Sequence, residues 1–79
     1  MDKQKALLKL GPIFKEVFEE NGLVINEESN IDNIPNWDSL SHIYLVVAIE
    51  DAFNKKFSAE EIQSWHSVKD ILLSILKNS

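Results

Sequence analysis

The sequence predicts an all-α fold: a small four-helix bundle with a long loop between helices 1 and 2 and a short helix 3. Three observations predict it. Apolar residues recur at steps of three and four in the first, middle and last parts of the chain, which gathers them on single faces of helices. No run alternates apolar and polar residues as a half-buried strand does. Serine and aspartate stand just ahead of the apolar runs, where a helix needs acceptors for its unpaired N–H groups. At 79 residues, the chain is expected to be one domain spanning residues 1–79. A chain this short buries only ~60% of its unfolded surface, so it cannot comfortably enclose a substrate cavity and a full catalytic apparatus.

Helix 1 is expected from Asp2 to Glu20, with Asp2 as its cap and Leu7, Leu10, Phe14, Val17 and Phe18 as its apolar stripe. Gly11-Pro12 interrupts it. Proline removes one backbone bond and crowds the carbonyl of Leu8, but the stripe keeps its phase, so the expectation is one kinked helix. Asn21-Gly22 supplies the stop signal. Leu23 to Asn36 is a long polar connection whose isoleucines are expected to pin it over the core. Asn30, Asp32 and Asn33 lack the glycine and closing glutamate of a calcium loop.

Helix 2 is expected from Ser39 to Asn54, capped by Asp38 or Ser39. At about 100° per residue, Leu45, Val46, Ile49 and Phe53 fall on one side, and Leu40, Ile43, Tyr44 and Val47 on nearly the opposite side. The first stripe reads as core. The second is expected to pack partly under the long loop and to stay exposed near Ser39. Ser58 and Glu61 make a capping box for helix 3, with Phe57 stapling to Ile62. Trp65 and His66 form the turn, and Ser67 caps helix 4, with Asp70 at the matching third position and a stripe of Val68, Ile71, Leu72, Ile75 and Leu76.

Composition narrows the function. The chain has no cysteine, so disulfides, cysteine-based zinc sites and thiol catalysis are excluded. No apolar run approaches the ~20 residues of a membrane span, and no signal segment is visible, so a soluble cytoplasmic protein is expected. Acidic residues number 13 against 8 lysines, with no arginine and a net charge of −5. That balance argues against nucleic acid and favours partners with basic surfaces.

Most of the serines read as caps, loop or helix-interior positions. Ser39 has no structural explanation beyond capping. It opens helix 2 beside the second apolar stripe, and free N–H groups at a helix N-terminus suit an attached phosphate. Ser39 is therefore read as a modification site. Two rivals use the same residues. Asp38, Ser39 and His42 have the residue types of a hydrolase triad, but an acid adjacent to the serine is badly placed to orient the imidazole, and no glycine-rich oxyanion loop is present. A non-covalent adaptor would use Leu40, Ile43 and Tyr44 to bind a partner helix.

Asp38-Ser39-Leu40, followed by Ile43, Leu45, Val46, Ala48, Ile49, Glu50, Asp51 and Phe53, resembles the acyl carrier protein family, freestanding type. The resemblance covers nearly the whole chain. It implies 4′-phosphopantetheine on Ser39, with Asp38 helping to present it. It implies a carrier, not an enzyme, that holds an acyl group, or alternatively an aminoacyl or peptidyl group, as a thioester. The implied partners are a phosphopantetheinyl transferase, an acyl- or aminoacyl-activating enzyme and an acyltransferase or synthase, meeting a monomer. Leu40, Ile43, Tyr44, Val47, Glu50 and Asp51 match the family's recognition helix. Charge reversal at Glu50 or Asp51 is expected to slow partner acylation with little loss of fold. Tyr44 replaces the glutamate of many fatty-acid carriers, and Trp37 resembles carriers of specialised pathways.

Overall fold

A computed structural model describes residues 2–77. Four helices follow one another: α1 Lys3–Val17, α2 Ser39–Phe53, α3 Ala59–Ser64 and α4 Val68–Lys77. Among the described residues the only extended pairing is one antiparallel bridge, Asn30 with Ser67.

Helix α1 begins as expected: Asp2 Oδ1 accepts the Lys5 N–H at 2.8 Å. It continues through Pro12. The carbonyl that proline leaves without a donor belongs to Leu8, whose residue is 76% exposed, so water can take its place. Gly11 helps, because a residue with a Cβ is crowded out of the α region when proline follows. The end of α1 differs from the expectation. The helix stops at Val17, not near Glu20, and Gly22 is not its terminator. Glu19 takes a left-handed conformation, φ 52. The Glu19 N–H reaches Glu16 O at 3.3 Å and the Glu20 N–H reaches Lys15 O at 3.0 Å, the paired bonds that close a helix at a left-handed residue. A glutamate there is strained and sets a negative charge at the negative helix end. Glu19→Gly should therefore stabilise the chain by about 0.5–1 kcal/mol, read as a higher urea midpoint at unchanged slope.

The long loop is held at defined points. Ile34 is buried and Ile25 half-buried, whereas Ile31 is exposed, so the isoleucines pin the loop unequally. Asn30 Oδ1 accepts the N–H groups of Asp32 and Asn33, and Asn33 Oδ1 accepts that of Asn30. This turn accounts for the asparagine cluster. The Ile31 N–H to His66 O bond, 2.9 Å, and the Val68 N–H to Ser29 O bond, 2.8 Å, tie the loop to the start of α4.

Helix α2 ends on Asn54, also left-handed at φ 53, a conformation asparagine tolerates. Lys9 of α1 reaches this end: its Nζ donates to Ala52 O at 2.7 Å and lies 4.8 Å from the centre of the Phe53 ring. Ser58 caps α3 as expected, accepting the Glu61 N–H at 3.1 Å. Ser67 Oγ accepts the Asp70 N–H at 3.2 Å, while the Asp70 carboxylate takes the His66 N–H. Helix α1 packs against α2 and α4. The core joins Leu10 and Phe14 of α1, Leu45 and Ile49 of α2, and Ile71 and Ile75 of α4, all fully buried. Trp65 closes one end, edge-on to Phe57, with its Nε1 donating to buried Ser74 at 2.9 Å.

Candidate attachment and docking site

Ser39 is the first residue of α2 and is exposed. Asp38 is the cap: its Oδ1 accepts the Ser41 N–H at 3.0 Å. Ser41 completes the capping box, its Oγ accepting the Asp38 N–H at 2.8 Å and donating to Asn36 O at 2.7 Å. The serine of the cap is thus Ser41, and the Ser39 hydroxyl stands outside it. These contacts hold the Asp38 carboxyl below the usual carboxylate value. The Ser41 N–H is the main cause; desolvation opposes it, and the Ser41 side chain and the Leu40 N–H add to it. One expectation is corrected here. The N–H group of Ser41 is not free for a phosphate, because the Asp38 carboxylate accepts it.

Behind Ser39 lies a relay that the sequence does not announce. Trp37 is buried, edge-on to Phe14 at 5.6 Å and beside Phe18 at 6.1 Å. Its Nε1 donates to His42 Nδ1 at 3.0 Å, and His42 Nε2 lies 2.9 Å from Ile62 O. Indole N–H can only donate. His42 Nδ1 is therefore the acceptor, and Nε2 carries the proton given to Ile62. Both ring nitrogens are committed, so His42 has none left to take a proton from Ser39. With Asp38 engaged on the helix end, the hydrolase triad has no working base.

The second stripe of α2 is open along its whole length: Leu40 is 61%, Ile43 60%, Tyr44 59% and Val47 60% exposed. The loop packs into the core through Ile34 and Trp37, and the stripe, expected to lie partly under that loop, is left more than half exposed. Asp51 is exposed on the same helix. Glu50 differs from the expectation of a free docking charge. Its side chain is 15% exposed, Oε2 accepts the Phe57 N–H at 3.0 Å and Oε1 lies 3.8 Å from Lys56 Nζ. The structure adds residues that the sequence reading missed. Ile13, Glu16 and Val17 of α1 form the far wall of a groove beside Tyr44, Val47 and Asp51. Ile13 and Val17 are one helical turn apart, a signal masked because the core stripe of α1 claimed the same helix.

No protein-family model matches the chain. It is 32% identical over 78 residues to an acyl carrier protein of Coprothermobacter proteolyticus, covering 99% of this chain and 95% of that one. The chain belongs to the acyl carrier protein family. A second acyl carrier protein, from Syntrophobacter fumaroxidans, is 31% identical over 78 residues, covering 99% of this chain and 96% of the relative. The solution structure of a holo acyl carrier protein from Geobacter metallireducens superposes with a TM-score of 0.83 at 36% identity, covering 91% of this chain and 83% of that one. As an acyl carrier protein the chain has a carrier role, and the exposed serine at the head of an exposed apolar helix face is a geometry suited to that role. Among the described residues no helix is long and apolar enough to cross a membrane.

Proposed function

We propose that Ser39 is the residue to which this acyl carrier protein attaches 4′-phosphopantetheine, and that Leu40, Ile43, Tyr44, Val47 and Asp51 present the loaded arm to partner enzymes. The observation that carries this reading is the division of labour in Asp38-Ser39-Leu40-Ser41. Asp38 and Ser41 close the helix end on each other, and Ser39 is left exposed beside the apolar stripe. The residues fit the group: a hydroxyl open to solvent can form a phosphodiester without displacing any bond of the cap. When bound, the arm supplies a terminal thiol, which the cysteine-free chain lacks, and on it a thioester. Ser39 anchors. Asp38 fixes the first turn from which Ser39 would hold the arm, its carboxylate occupied by the Ser41 N–H.

Tethering keeps the cargo at high effective concentration at whichever partner is docked. The cargo is read as an acyl group in lipid, polyketide or other specialised biosynthesis. The chain is a cytoplasmic substrate of a phosphopantetheinyl transferase, an activating enzyme and an acyltransferase or synthase; it is not a catalyst. The committed nitrogens of His42 support that last point. The test is intact mass after incubation with coenzyme A and a broad-specificity phosphopantetheinyl transferase. Wild type and Ser41→Ala should each gain one arm, and Ser39→Ala none. No gain by wild type, or a gain by Ser39→Ala, sinks the assignment.

A further inference from the structure

Asn21-Gly22 is a pair that neither the helices nor the attachment site uses. It does not end α1, which stops at Val17 with the chain turning at Glu19. Both residues are exposed. They sit in a turn closed by the Leu23 N–H to Glu20 O bond, 3.1 Å. Among the described residues nothing bonds the Asn21 side chain or the Gly22 N–H. Apart from its chain neighbours, no atom lies within 4 Å of where a Cβ on Gly22 would stand. The other described asparagines are placed differently. Asn26 Oδ1 accepts the Glu28 N–H, and Asn30 Oδ1 those of Asp32 and Asn33. Asn33 Oδ1 accepts the Asn30 N–H. After Asn30, Asn33 and Asn54 the next N–H is already bonded, to His66 O, Asn30 O and Glu50 O. Asn36 is followed by buried Trp37.

We propose that Asn21 is a site of spontaneous deamidation, with the Gly22 backbone nitrogen as nucleophile and water as co-reactant. The Gly22 nitrogen attacks Asn21 Cγ. An N–Cγ bond forms, the bond from Cγ to the side-chain amide nitrogen breaks, and that nitrogen leaves as ammonia with the proton from Gly22, closing a succinimide ring. Water then opens the ring at either carbonyl. Opening at Cγ gives aspartate. Opening at the Asn21 main-chain carbonyl gives isoaspartate, and the backbone then runs through the former side chain with one methylene added. No oxidant or reductant is needed. Asparagine is among the thermolabile residues, and glycine lacks the Cβ that would crowd the attack. Either product adds a carboxylate beside Glu20, just past the C-terminal end of α1, where the helix dipole disfavours negative charge. Isoaspartate also lengthens the chain just ahead of half-buried Leu23, which packs against the core. The junction of α1 and the long loop is thus where chemical ageing first loosens the fold.

The test incubates the full folded chain in oxygen-18 water at mildly alkaline pH, beside a free peptide of residues 19–24. Digestion and mass spectrometry read the label at each asparagine, and an isoaspartate methyltransferase with a labelled methyl donor reads the isoaspartate. The folded chain should convert Asn21 within several-fold of the peptide's rate, with isoaspartate among the products. Asn26, Asn30, Asn33, Asn36 and Asn54 should each be several-fold slower. Gly22→Ala should slow conversion at Asn21 several-fold with circular dichroism unchanged, because Gly22 does not have a positive φ and the space beside it is open. An intact Asn21 under conditions that convert the peptide, a Gly22→Ala protein that converts as fast as wild type, or faster labelling at another described asparagine would overturn the proposal. Ser39 takes no part in the step, so the result is independent of the attachment reading.

Discussion

Trp37→Ala should lower the unfolding free energy by ~3–5 kcal/mol, a large share of what a domain this small has. Trp37→Phe should cost about 1–2 kcal/mol. The difference separates two jobs of one side chain. The ring is 5% exposed and packs edge-on to Phe14; phenylalanine keeps most of that and alanine leaves a cavity. The indole N–H is the donor to His42 Nδ1. Phenylalanine leaves that nitrogen without a partner while Nε2 stays bonded to Ile62 O, so the relay between the loop before Ser39 and α3 is broken at one end. Urea unfolding at neutral pH measures both variants. In a double-mutant cycle with His42→Ala, Trp37→Phe should show a coupling of at least about 0.5 kcal/mol. Additive losses would mean that the relay contributes packing only.

That relay also marks where reading the sequence stops. Caps are local, with an acceptor and its N–H within three residues, so Asp2, Ser58 and Ser67 could be placed without a structure. Periodicity is local too, and it separated the two sides of α2 correctly: Leu45 and Ile49 are fully buried while Ile43 and Val47 are open. The Asp38-Ser39-Leu40 motif is local too, and the structure places its serine exposed at the first residue of α2. What failed is what depends on distant partners. Trp37 looks like part of a motif until Phe14 and Phe18 of α1 close over it. Glu19 ends α1 in a conformation for which glutamate gives no sign. Of the N–H groups expected to be free beside Ser39, that of Ser41 is taken, because Asp38 and Ser41 cap each other and leave Ser39 out of the cap. The α1 wall of the groove beside Tyr44 and Val47 depends on how two helices pack, which neither helix pattern contains.

Glu50→Lys should cost about 2–3 kcal/mol, and Asp51→Lys should stay within ~0.5 kcal/mol of wild type, although the two acids are adjacent and look equivalent in the sequence. The reason lies across the turn after α2. Phe57 is 8% exposed, so its N–H has poor access to water, and the Glu50 carboxylate is its acceptor at 3.0 Å. Lysine brings donors only, which strands that N–H and sets a cation near Lys56. Glu50→Gln keeps an acceptor and should fall between, near 1 kcal/mol. Asp51 is exposed, so its reversal changes the field of the docking face and little else. The pair therefore separates fold from recognition. A slowed acyl transfer in Asp51→Lys reads docking directly, whereas the same slowing in Glu50→Lys must first be corrected for the folded fraction. If thermal and urea unfolding place Glu50→Lys within 0.5 kcal/mol of wild type, the strut to Phe57 carries no weight. Glu50 then returns to the docking face beside Asp51.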